Sequence, residues 1–96
     1  MMTQKNNFKG YKIQFTPQAQ KELKKLEQKE LVKIDNKLND LISGAQNLDI
    51  KKMITDTGSL YRLRCGDYRV IFEIKNHIVT ILIIKIAHRR EVYRDY

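Results

Sequence analysis

The sequence predicts an α+β fold in two layers: an N-terminal strand, a helical hairpin, and then a mainly antiparallel sheet of three or more strands. Three observations carry this. Apolar residues alternate over 11–15, recur at helical spacing over 19–42, and alternate again from Leu60 onward. A chain of 96 residues holds one core rather than two. The elements are therefore expected to share a single domain over 11–96, after a polar, aperiodic leader over 1–10 that is expected to be flexible.

Tyr11, Ile13 and Phe15 point one way and Lys12 and Gln14 the other, as on a half-buried strand. Thr16-Pro17 then signals a helix start. The threonine hydroxyl can accept from a free amide, and proline at the first position gives up only an N–H that would have no partner there. Ala19, Leu23 and Leu26 follow at helical spacing. A polar break over 27–30 separates them from Leu31, Ile34, Leu38, Leu41 and Ile42, and Gly44 supplies the C-terminal cap. The outer faces mix Lys and Glu and read as solvated surface. The stretch 48–57 has weak periodicity and reads as a loop, in which Lys51 and Lys52 are candidate phosphate contacts.

From Leu60 the period shortens to two. Tyr61, Leu63 and Cys65 alternate with Arg62 and Arg64, Gly66-Asp67 makes a tight turn, and Tyr68, Val70, Phe72 and Ile74 alternate with Arg69, Ile71 and Glu73. Asn76-His77 reads as a second turn that leaves His77 exposed. The nearly continuous apolar run over 78–86 suits an inner strand covered on both faces.

Lys and Arg number 19 against 11 Asp and Glu, a net charge of +8 that directs the chain toward anionic partners. The single cysteine, Cys65, cannot close an intramolecular disulfide, and no basic-then-apolar leader opens the chain, so a reducing, cytoplasmic setting is expected. The apolar run 78–84 is far short of the roughly 20 residues a membrane helix needs, so no membrane role is expected. His77, His88 and Cys65 lie too far apart to match a metal-ligand spacing, so neither a metal nor another cofactor is expected. Cys65 alternates onto the core side, where a buried thiol is inert.

The first hairpin carries the sharpest expectation. With Gly66-Asp67 as a two-residue loop, Cys65 faces Tyr68, Arg64 faces Arg69, Leu63 faces Val70 and Arg62 faces Ile71. Arg62, Arg64 and Arg69 then share one face. Like charges paired across strands oppose folding, so this costs stability unless an anion lies between them. Phosphate is the fitting anion, because guanidinium groups hold it bidentately and stay charged. The alternative is that the arginines pair with Glu73 and Asp67 on a solvated face. Extending the register past Asn76-His77 puts Thr80, Leu82 and Ile84 on the same side, making that face partly apolar and able to take an amphipathic partner.

The tail adds His88, Arg89, Arg90 and Tyr93 within a few residues. His88 is a candidate proton carrier near neutral pH, Arg89 and Arg90 are candidate phosphate contacts, and Tyr93 is a candidate base-stacking residue.

The stretch YRLRCGDYRVIFEI (61–74), followed by an apolar strand and HRREVY (88–93), resembles the RelE-type branch of the RelE/ParE toxin superfamily, over roughly 11–94. The resemblance implies a toxin of a type II toxin–antitoxin system. It implies a metal-independent endoribonuclease that cuts messenger RNA in the ribosomal A site, against ribosomal RNA, and is neutralised by a cognate antitoxin. The ribose 2′-hydroxyl attacks the adjacent phosphate and leaves a 2′,3′-cyclic phosphate. By resemblance Arg62, Arg64 and Arg69 fall at catalytic basic positions, Arg69 as the phosphate holder, and Tyr93 falls near the scissile nucleotide. Some relatives have lysines where Arg62 and Arg64 stand, and arginine cannot serve as a base. The proton acceptor is then expected to be His88, or Glu73 if it shares the arginine face. Two other functions remain open: inhibition of DNA gyrase, as in the ParE branch, and an inactive relative that only binds antitoxin or nucleic acid.

Overall fold

The computed structural model describes residues 8–56 and 58–91. The elements run β1 (Lys12–Phe15), α1 (Pro17–Lys24), α2 (Gln28–Ser43), β2 (Ile50–Thr55), β3 (Gly58–Cys65), β4 (Tyr68–Lys75) and β5 (Thr80–His88). The strands form one sheet in the order β1-β5-β4-β3-β2. Among the described residues β1 pairs with β5 in parallel, and the β5–β4, β4–β3 and β3–β2 pairings are antiparallel. The α+β class and the two layers are as the sequence predicts.

Both helices lie on one side of this sheet. Thr16 caps α1, its hydroxyl accepting the N–H of Ala19 at 3.1 Å, with Pro17 at the first helical position. The polar segment expected to separate the helices is shorter than its sequence suggests, because α2 begins at Gln28 with Glu27 as N-cap. Three polar residues in the first turn break the apolar stripe without breaking the helix. Gly44 closes α2 in the left-handed conformation, at φ 84°. Ala19, Ile34, Leu38 and Leu41 from the helices meet Leu63, Cys65, Val70, Phe72, Ile81, Ile83 and Ile86 from the sheet, all buried. Residues 1–7 of the expected leader lie outside the described residues. Phe8 packs on the core edge and meets the Tyr11 ring edge-on at 5.3 Å.

Two features depart from the sequence reading. The segment 50–55, read as a loop, is the edge strand β2. Alternation fails there because Lys51 and Lys52 are both exposed, as an edge position permits. The β4–β5 connection is also longer than a two-residue turn: Lys75 pairs with Thr80 across a 3-10 turn (Asn76–Ile78) and Val79, which takes φ 49°.

The β4–β5 ladder carries a bulge. Ile71 pairs with Lys85 but Phe72 pairs with Ile83, so Ile84 is the extra residue. The start of α1 docks there. The Thr16 N–H donates to the Ile83 carbonyl at 3.0 Å, its hydroxyl donates to the Ile84 carbonyl at 3.2 Å, and the Glu22 carboxylate accepts the Ile86 N–H at 2.7 Å. Side chains alternate along a strand, so one extra residue exchanges the two faces for everything beyond it. Thr80 and Leu82 therefore stand on the side away from the helices, as expected, whereas the positions past Ile84 are inverted.

No helix among the described residues is long and apolar enough to cross a membrane.

Candidate functional site

The side of the sheet away from the helices is where the arginines gather. The β3–β4 register is Cys65 with Tyr68, Arg64 with Arg69, Leu63 with Val70 and Arg62 with Ile71. Residues opposite one another point to the same side, so Arg62, Arg64 and Arg69 share this open face. Lys51 joins them, because β2 pairs it with Arg62. Lys52 pairs with Tyr61 and belongs to the other side. A small apolar floor of Ile71 and Ala87, flanked by Met53 and Leu60, underlies the charges.

The three guanidinium groups are held differently. Arg62 donates through Nη2 to Oδ1 of Asp49 at 3.2 Å, and Nη1 of Arg64 lies 3.8 Å from Oδ2 of the same carboxylate. One carboxylate thus bridges two guanidinium groups. Its position is fixed by the backbone, since the Arg64 N–H donates to the Asp49 carbonyl at 3.0 Å. Arg62 is largely covered, with its side chain 14% exposed, whereas that of Arg64 is 55% exposed and free to meet a ligand. Arg69 is buried, at 6% exposure. Its Nη1 donates to the carbonyls of Gly66 at 2.8 Å and Tyr68 at 3.0 Å, bracing the tight turn. Its buried Nε has no hydrogen-bond partner among the described residues.

Glu73 and Asp67, the carboxylates expected to pair with these arginines, are engaged elsewhere. Glu73 shares the open face and lies 3.4 Å from Lys75. Asp67 lies 3.9 Å from Nε of Arg89, and its carbonyl accepts the Arg89 N–H at 2.8 Å, which ties the tail to the β3–β4 turn. Asp49, absent from the sequence reading, takes the role instead. Recognising β2 would have found it, since pairing Ile50 with Leu63 brings Asp49 beside Arg64.

His88 is not brought to this face. Beyond the bulge it pairs with Tyr68, whose ring it meets edge-on at 5.5 Å, on the side that carries the helices. Its Nδ1 accepts the Arg90 N–H at 3.2 Å, so the ring steadies the turn into the tail. Arg89 and Arg90 are exposed beyond the end of β5. Tyr93 lies outside the described residues. Cys65 is on the core side, where burial pushes its thiol up from 9.0 to about 12 against the lowering pull of Lys37 and Arg69, leaving no thiolate at neutral pH.

The open face therefore offers an exposed guanidinium fork, a second one beside it, a carboxylate between them and a basic rim. Such a set can hold a phosphodiester and can take up a proton. A separate groove of about 310 Å³, lined by Phe15, Leu23, Leu31 and Val32 together with the polar Gln28 and Asp35, lies between the two helices, away from the arginines.

The model of the family described as "ParE toxin of type II toxin-antitoxin system, parDE" matches residues 13–93. Among solved structures, the archaeal RelE–RelB complex from Pyrococcus horikoshii OT3 is similar at 26% identity, over 85% of this chain and 98% of that one, with a TM-score of 0.70. The RelBE2 toxin–antitoxin complex from Mycobacterium tuberculosis is similar at 24% identity, over 84% and 93%, also at 0.70. The RelB–RelE complex from Methanococcus jannaschii is similar at 26% identity, over 86% and 98%, at 0.65. The comparison with curated protein sequences gives no match.

Proposed function

Because this chain belongs to the ParE toxin family of type II toxin–antitoxin systems, and with it to the RelE/ParE superfamily, we propose that its open sheet face binds messenger RNA and cuts it in the ribosomal A site. The observation that carries the reading is the bridging of Arg62 and Arg64 by a single carboxylate: two guanidinium groups already converge on one anion. A phosphodiester is an anion of the same charge and bite, and the exposed fork of Arg64 gives it access. In the reaction, the 2′-oxygen attacks phosphorus and negative charge builds on the non-bridging oxygens, where fixed cations stabilise the transition state. Arg69 shapes the turn that presents Arg64, Lys51 extends the basic surface along β2, and Arg89 and Arg90 extend it beyond the end of β5, while Lys52, on the other side of the sheet, takes no part. Tyr93 is proposed to stack on a base near the scissile bond. The partner is a cognate antitoxin, in keeping with the three antitoxin complexes of the same fold.

A second reading is inhibition of DNA gyrase, favoured by the family description itself and by His88 facing away from the arginines. The two separate in one experiment. Inducing the protein in bacteria without its antitoxin, then mapping transcript ends and gyrase-linked DNA breaks in the same cells, is expected to give cut messages and intact DNA. Intact messages with broken DNA support gyrase inhibition instead.

A further inference from the structure

Cleavage by the 2′-hydroxyl needs an acceptor for its proton, and the arginine face has to provide one. Arginine stays protonated and cannot. His88 is on the opposite side of the sheet, past the Ile84 bulge. Glu73 lies on the same side, but it pairs with Leu82 and its ion pair is with Lys75 rather than with the arginines that would hold the phosphate. Asp49 is the carboxylate in contact with the arginines themselves, at 3.2 Å from Arg62 and 3.8 Å from Arg64. Its side chain is 52% exposed, so a nucleotide held by Arg64 has open access to it.

We infer that Asp49 is the general base of the cleavage reaction, taking the proton of the ribose 2′-hydroxyl while Arg62 and Arg64 hold the adjacent phosphate; this rests on the ribonuclease reading above. The backbone bond from Arg64 to the Asp49 carbonyl fixes base and phosphate holder to each other. One ladder thereby sets the geometry of both, as a base within reach of its proton requires. When phosphate oxygens reach the guanidinium groups they compete for the donors that now bind the carboxylate, which frees an oxygen of Asp49 to accept. In the step, the 2′ O–H bond breaks and its proton passes to Asp49 as the 2′-oxygen bonds to phosphorus. The bond from phosphorus to the 5′-oxygen breaks, and the leaving oxygen takes a proton from water. Asp49 then returns its proton to solvent. Atoms and charge balance with no metal and no redox partner.

The test uses the full chain and ribosome complexes programmed with a defined A-site codon. Cleavage is followed under single-turnover conditions, and binding is measured on the same complex carrying a 2′-deoxy nucleotide at the scissile position, which cannot be attacked. Asp49→Asn is expected to slow cleavage by about 10²- to 10⁴-fold with binding unchanged or tighter, and Asp49→Glu to recover part of the rate. His88→Gln is expected to cut at close to the wild-type rate. Asp49→Asn that cuts as fast as wild type or faster overturns the assignment, as does a parallel loss of binding and cutting, which marks the carboxylate as a prop for the arginines. A folded Asp49→Glu variant keeps the test valid should Asp49→Asn fold poorly. Absence of cleavage by the wild-type protein overturns the ribonuclease reading itself and is told apart from these outcomes by that control.

Discussion

Arg64 and Arg69 stand directly opposite each other across the β3–β4 ladder, yet their guanidinium groups take different partners: that of Arg64 approaches Asp49, and that of Arg69 folds back onto the carbonyls of Gly66 and Tyr68. A pairing that opposes folding when both charges are free is relieved by sending one into the turn and the other toward a carboxylate.

This division separates stability from function. Arg69→Ala removes a buried, charge-assisted pair of hydrogen bonds and leaves two carbonyls short of a donor, so it is expected to cost about 1.5–3 kcal/mol. Arg64→Ala removes an exposed group and is expected to change stability by less than about 0.5–1 kcal/mol. Urea unfolding of the two variants gives the comparison, and toxicity is expected to fall in both.

Glu22 holds the bulge that decides which side His88 occupies. Its carboxylate accepts the Ile86 N–H at 2.7 Å and meets the ammonium of Lys85 at 3.3 Å, with both side chains largely covered. Glu22→Ala leaves a backbone donor and a cation without that partner and is expected to lower stability by about 2–4 kcal/mol. Thermal and urea unfolding of this variant, with amide exchange at Ile86, check the loss and its origin.

Much of this was legible in the sequence, and the two failures share a physical cause. The β3–β4 register followed from alternation and a two-residue turn, and it placed Arg62, Arg64 and Arg69 on one face. Thr16-Pro17 and Gly44 marked helix ends because capping is local chemistry. The bulge at Ile84 was not legible, because Thr16 and Glu22, more than 60 residues away, impose it. β2 was hidden because an edge strand needs no apolar period, and with it went Asp49, which reaches the arginines only through pairing over a 13-residue separation.

The thiol of Cys65 makes stability depend on pH in one direction. Its folded value of about 12 lies above its ordinary 9.0, chiefly through burial, so the folded chain keeps a proton that the unfolded chain gives up. That contribution is complete below pH 9 and is lost as pH rises from 9 toward 12. Denaturation midpoints across this range are expected to fall more steeply for the wild type than for Cys65→Ala. Native protein at pH 8 is expected to resist thiol reagents that label the unfolded chain rapidly.

Whether the paired guanidinium groups of Arg62 and Arg64 cut messenger RNA is decided by primer extension on a messenger held in programmed ribosomes, with purified wild-type protein and the Arg62→Ala/Arg64→Ala double variant, both confirmed folded. The wild type is expected to leave a break within the A-site codon ending in a 2′,3′-cyclic phosphate, and the double variant to cut at least roughly 10²-fold more slowly. An intact messenger with the wild type, or equal cutting by the double variant, would contradict this role of the two arginines.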